Sequence, residues 1–210
     1  MEPVLSPFLH TLRGEGTAEF TQKKSRFVGY AAPAMTEADA EAFIADIHRR
    51  HPDASSLCWG YRVGPGGAVQ RYHDDHEPSG GQPILEVLAR RELSSAAAVA
   101  RWFGGVKLGA GPLGRAFGRA AALAVEAAGL CRAELTVRLR IESGYGEAGA
   151  LEHFLNRAGC RIERVRYEIR VVFDVLTRRD ALADVMARVA DMTAGQGVCQ
   201  AGEPFYFCWE

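Results

Sequence analysis

The sequence predicts an α+β protein built as two domains, residues 1–132 and 133–210. Three observations carry that reading. A chain of 210 residues, 48% hydrophobic and 24% charged, has the length of one large or two small domains and an ordinary soluble composition. An apolar run at Ala96–Phe103 leads into a glycine-rich loop and then into a helix-forming run at Leu113–Ala128. Beyond Glu134 the pattern changes to β-α-β-β-α-β, the ferredoxin-like order.

In the first domain, Glu19–Gln22 and Arg26–Ala32 read as a hairpin. A helix follows over about Glu37–Arg49, with Thr36 as N-cap and Ala40, Phe43, Ile44 and Ile47 on one face. Ser56–Val63 and Ala68–Tyr72 pair across the turn Gly64-Pro65-Gly66-Gly67. A polar loop over His73–Gly81 precedes a short helix from Pro83 to about Arg91. The last helix is expected to start with Pro112 at its first position, where the missing N–H is harmless, and to stop at Gly129. In the second domain, Leu135, Val137, Leu139 and Ile141 alternate with polar residues, so that strand is half-buried. A helix near Glu147–Arg157, strands near Arg161–Arg166 and Ile169–Leu176, a helix over Arg179–Met192 and a final strand over Val198–Cys208 complete it.

The segment Arg101–Arg119 holds six glycines and four basic residues, and no acidic residue occurs between Glu92 and Glu126. Unpaired amides at a helix start and the helix dipole both favour an anion there. Arg101, Lys107 and Arg115 add positive charge to Gly104, Gly105, Gly109 and Gly111, with Trp102 or Phe103 as an aromatic contact. The competing reading is a tight loop whose glycines only let strand and helix pack closely. Neither standard nucleotide motif is present: Lys107 is followed by Leu108 rather than Ser or Thr, and Pro112 interrupts the Gly109–Gly111–Gly114 spacing. No cofactor is expected.

Asp74, Asp75 and Glu77, flanked by His73 and His76, form an acidic loop that can orient Arg101 or Lys107. Its H-x-x-H spacing matches no zinc motif, and no metal is expected. Lys23-Lys24-Ser25-Arg26-Phe27 is basic with one aromatic, which suits either a nucleic-acid backbone or a charged edge strand. The net charge of −1 encodes no global attraction to nucleic acid or membrane, and no aromatic-basic stripe runs along any one strand. No nucleophile elbow occurs. Five scattered cysteines, an odd number, argue against a disulfide framework, and with no secretory signal or membrane-length apolar run the expected location is the cytoplasm.

Five motifs occur in order: K-x-S-x-F at Lys23–Phe27, D-D-x-E-P-S-G at Asp74–Gly80, P-I-L-E-V-L at Pro83–Leu88, R-x-F-G-G-x-K-L-G-A-G at Arg101–Gly111 and R-A-F-G at Arg115–Gly118. Together they resemble the IMPACT family, in its bacterial YigZ-type members. The resemblance implies an N-terminal left-handed βαβ domain similar to domain IV of elongation factor G, and a ferredoxin-like C-terminal domain similar to its domain V. It further implies a non-enzymatic protein in contact with RNA or a ribosome component, without DNA specificity. The same left-handed topology occurs in small-molecule kinases, which leaves an enzyme or sensor of a phosphorylated metabolite as the alternative, and a protein adaptor as a third. This chain departs from the family pattern at His76, where Gly is usual, at Trp102, where Tyr is usual, and between Glu77 and Pro83, where the loop is two residues shorter.

Overall fold

Fifteen helices and strands order the chain in the computed structural model, which describes residues 6–209. They run β1 (Phe8–Leu12), β2 (Gly16–Gln22), β3 (Ser25–Pro33), α1 (Glu37–Arg50), β4 (Ser56–Val63), β5 (Val69–His73), α2 (Gly81–Arg90), β6 (Ser95–Trp102), α3 (Ala110–Ala128), β7 (Leu130–Ser143), α4 (Tyr145–Arg157), β8 (Arg161–Tyr167), β9 (Val171–Arg178), α5 (Leu182–Met192) and β10 (Val198–Cys208). Leu9–Ala133 forms one compact unit. Glu134–Trp209 forms the other, joined by residues 6–8, which the division at 132/133 assigns to the first domain.

The N-terminal unit is a five-stranded sheet in the order β2-β3-β6-β4-β5. Strands β3 and β4 both run antiparallel to β6 between them, so they are parallel to each other and need the crossover helix α1. One face of the sheet packs Val28, Tyr30, Ala98 and Ala100 around Ile47 of α1. The other packs Phe27, Ala31, Ala97 and Val99 against Ile84 and Leu88 of α2 and Leu113 and Phe117 of α3. Covered on both faces, β6 (SAAAVARW) reads as a continuous apolar run instead of an alternating one. Small residues there let the helices approach. On β3 the approach is close as well: a Cβ at Gly29 would lie 2.3 Å from the Ala120 carbonyl oxygen. Thr36 caps α1 in a reciprocal box with Asp39.

The C-terminal unit has the β-α-β-β-α-β order, with β7 between β10 and β9 and β8 outermost beside β9. Leu139, Ile141, Phe173 and Val175 meet Leu151 and Leu155 of α4 and Val185 and Val189 of α5. Three details differ from the sequence expectation. Strand β1 has no clear alternation and was not foreseen. Strand β7 begins at Leu130, immediately after the Gly129 cap with φ 72°, earlier than the alternation that starts at Leu135. Helix α3 begins at Ala110 with Gly109 as its N-cap, which makes Pro112 the third helical residue. Its missing N–H is still one of those without an intrahelical acceptor, so the helix loses nothing. Cys58, Cys160 and Cys199 are free thiols. Among the described residues no helix is long and apolar enough to cross a membrane.

Candidate anion-binding site

Strand register gathers the loops of interest at one end of the N-terminal sheet. Arg26 lies opposite Trp102, Ser56 opposite Arg101 and Trp59 opposite His73. The start of β3, the end of β6, the start of β4 and the end of β5 therefore coincide. The Lys23-Lys24 turn, the acidic loop and the glycine loop become neighbours although about fifty residues separate the first from the second and about twenty the second from the third.

Arg101 is the hinge of this arrangement. Its side chain is 4% exposed, with Nη1 donating to the Glu77 carboxylate and Nη2 donating to Ser25 Oγ at 3.3 Å. The guanidinium lies 5.6 Å from the Phe27 ring centroid and 5.2 Å from that of Phe103, and its Nε has no hydrogen-bond partner. Ser25 Oγ also accepts the Gly104 N–H at 3.3 Å. The sequence offered Arg101 as an anion contact. It also expected the acidic loop to orient Arg101, and the structure pairs Arg101 with Glu77, which fastens the acidic loop to the end of the sheet. A buried guanidinium is tolerable only with its charge compensated.

The other acids are also turned inward. Asp74 Oδ1 accepts the Gly81 N–H at the start of α2 at 2.7 Å, and Asp75 Oδ2 accepts the Leu57 N–H at 2.8 Å. The Cys58 thiol donates to the Asp74 carbonyl at 2.9 Å. Burial pushes that thiol far above its usual range, and Asp75, Asp74 and Glu77 push it further, so it is no nucleophile. The loop is fixed at its tip by Asp75 (φ 49°) and Ser79 (φ 71°) and at its exit by Gly81, where a Cβ would lie 2.4 Å from the His73 carbonyl oxygen. His76 is exposed, 3.5 Å from Asp75. Among the described residues no three His, Cys, Asp or Glu side chains are grouped to hold a metal ion.

At the entry to the glycine loop, the two aromatic candidates have different partners. The Trp102 indole donates to Asp53 Oδ2 at 3.0 Å and lies under Arg26 at 4.7 Å. Phe103 stays 46% exposed at the site, its N–H donating to Ser55 Oγ at 3.0 Å. Gly104 is a close-packing glycine, because a Cβ would meet the Lys24 carbonyl oxygen at 1.9 Å. Gly105 (φ 84°) and Gly109 (φ 85°) serve the backbone path instead, with open space around them. Helix α3 then starts with no side-chain cap and no acidic residue in its first turn. Gly111 is exposed there, and Arg115 reaches back to within 3.6 Å of the place a Cβ would take on it. A cleft of about 600 Å³ between α2 and α3 opens beside Arg115.

Lys23, Lys24, Lys107 and Arg115 are all exposed, and none forms an ion pair with a described residue. Sequence reasoning nominated Lys107 and Arg115, took a charged edge strand as the default for the lysine pair, and gave Ser25 and Ser55 no role at the site. The lysines carry φ of 45° and 65° in the β2–β3 turn, and the close approach of Gly104 to Lys24 holds that turn against the loop.

Residues 23–125 match the Impact N-terminal domain, and residues 141–196 match a domain of unknown function, DUF1949. The chain is 31% identical to the IMPACT family member YvyE of Bacillus subtilis over 199 residues, covering 93% of this chain and 92% of that protein. It is 44% identical over 108 residues to an IMPACT family member of Thermus thermophilus, covering 50% of this chain and 58% of that protein. To the IMPACT family member YigZ of Escherichia coli it is 28% identical, covering 82% and 87% respectively. A solved structure described as a hypothetical protein superposes with a TM-score of 0.64 at 26% identity, covering 95% of this chain and 99% of that one. The motifs that gather at the end of the N-terminal sheet, and the two domains that follow one another along it, are those of a known group: the chain belongs to the IMPACT family.

Proposed function

We propose that this protein is a non-enzymatic, cytoplasmic RNA- or ribosome-binding protein that grips phosphate at the glycine-loop end of its N-terminal unit. One observation carries the reading: the carboxylates at that end are taken by internal donors, while Lys23, Lys24, Lys107 and Arg115 stay exposed and unpaired among the described residues. Cations left without partners beside unpaired helix amides form a local positive surface that the net charge of −1 conceals. Phe103 supplies a plane on which a base can stack.

The test is a titration of the purified protein against ribosomal and transfer RNA at several salt concentrations, alongside Lys107→Ala/Arg115→Ala. Neutralising four phosphates gives a slope of log K against log salt of about −3. Salt-sensitive binding that the double variant loses supports the reading, and no binding at low salt sinks it. The second reading, a sensor of a small phosphorylated metabolite, rests on the uncapped α3 N-terminus at Gly109. A thermal shift with one phosphorylated compound that persists at high salt would favour it.

A further inference from the structure

The two helices of the C-terminal unit pack on one face of its sheet, through the Leu139, Ile141, Phe173 and Val175 side. The opposite face is uncovered by them and carries arginines. Arg138, Arg140, Arg164 and Arg166 line a shallow cavity of about 380 Å³ with Glu163 and Asp174 as its acids. Both carboxylates are occupied: Arg138 pairs with Glu163 at 2.9 Å, and Asp174 is shared between Arg140 at 3.0 Å and Arg166 at 2.8 Å. Burial alone raises the Asp174 carboxyl, but the hydrogen bonds and charges of those arginines outweigh it and hold the group below the usual carboxylate range. Arg166 also pairs with Glu168 at 3.3 Å, and Glu203 lines the adjoining cavity, so the uncompensated positive charge at this face rests on exposed Arg164, which forms no ion pair with a described residue.

Beside this charge, β10 and the residue after it supply three half-buried rings. Arg138 lies over Phe205 at 5.5 Å, Arg161 over Phe207 at 5.4 Å and Arg178 over Trp209 at 4.4 Å. The Trp209 indole donates to Thr136 Oγ1 at 3.0 Å, which fixes the ring at the sheet. The rings recur every second residue, while the arginines come from β7, β8 and β9. No single strand therefore shows the aromatic-basic stripe. The sheet assembles it from four.

We propose that this face is a second contact, independent of the glycine loop, for single-stranded RNA. Phosphates meet the unpaired guanidinium charge, and bases stack on planes of ring and guanidinium. An acidic peptide could answer the charge but has no use for the row of planes, so RNA is the occupant the arrangement fits.

The test uses the full chain, fluorescence anisotropy of a labelled oligouridine about twelve nucleotides long, and an abasic strand of the same length and charge. Arg164→Glu reverses an exposed, uncommitted charge without disturbing the core, and Phe207→Leu removes a ring while keeping an apolar side chain. Expected are a loss of about tenfold in oligouridine affinity for Arg164→Glu, with a shallower salt slope, and similar weakening by Phe207→Leu for oligouridine but not for the abasic strand. Wild-type affinity in both variants, equal binding of the abasic strand, or displacement of RNA by polyglutamate at matched charge would each overturn the proposal. Lys107→Ala/Arg115→Ala is measured in parallel. If it alone loses binding, the sheet proposal fails and the glycine-loop reading stands. If only the sheet variants lose binding, the sheet proposal stands and the loop reading fails.

Discussion

Removing the Glu77 carboxylate should unfasten the acidic loop. In Glu77→Ala the Arg101 guanidinium, 4% exposed, keeps only Ser25 Oγ at 3.3 Å and two ring faces, with Nε already unpartnered. Stranding one member of a buried pair costs about 3–5 kcal/mol. Because the Glu77 side chain is itself 19% exposed, water can enter, and the cost falls toward the lower end, about 3 kcal/mol. At roughly 2–4 °C per kcal/mol for a chain of this size, that is a large drop in Tm. Glu77→Gln keeps an acceptor and should cost less, while Glu77→Ala/Arg101→Met removes both charges and should recover much of the loss. The assay is urea denaturation followed by tryptophan fluorescence in a Trp209→Phe background, which leaves Trp59 and Trp102, both in the N-terminal unit, compared at equal m-value. A Glu77→Ala midpoint within about 0.5 kcal/mol of wild type would refute the claim that this pair holds the loop.

Gly104→Ala places a Cβ 1.9 Å from the Lys24 carbonyl oxygen, and should destabilise by about 1–3 kcal/mol in thermal melts while lowering RNA affinity by displacing the lysine turn. Cys58 should resist a thiol reagent at neutral pH in the native state and react only in urea, since burial raises its thiol; rapid native modification at that position, read by peptide mass, would contradict the packing. His51, whose ring nitrogen meets the Tyr30 hydroxyl at 2.6 Å, is held below its usual value of 6.5 chiefly by burial. The unfolded chain therefore binds the proton first as pH falls, so this contribution is complete above pH 6.5 and is lost below it. The urea midpoint should fall between pH 7.5 and 5.5, and by less in His51→Gln.

Much of the fold was legible from local pattern. Thr36 before a 3.6-residue periodicity gives α1 its start, the Gly64–Gly67 turn gives the β4–β5 hairpin, and alternation from Leu135 to Ile141 gives β7 its buried face. Within the site, the sequence supplied the right loops but not the roles of their side chains. Arg101 and Lys107 are equally cationic in the sequence, yet one is buried against Glu77 and the other faces solvent, because strand β6 ends between them. Trp102 and Phe103 are adjacent aromatics, yet the first, the last residue of β6, reaches Asp53, while the second, past the strand end, lies beside Arg101.

What the sequence determined by itself is whatever depends on near neighbours: most element types, the Thr36 cap of α1, the Gly129 stop of α3, and the family motifs carried on them. What only the tertiary structure decided is which charges survive pairing. Asp74, Asp75 and Glu77 look like an exposed acidic cluster until Leu57, Gly81 and Arg101 reach them across the sheet. The arginine and aromatic rows of the C-terminal sheet are likewise invisible along any one strand. A charge is felt by its neighbours in space, and those neighbours are set by register between strands distant in the chain, which no local pattern encodes.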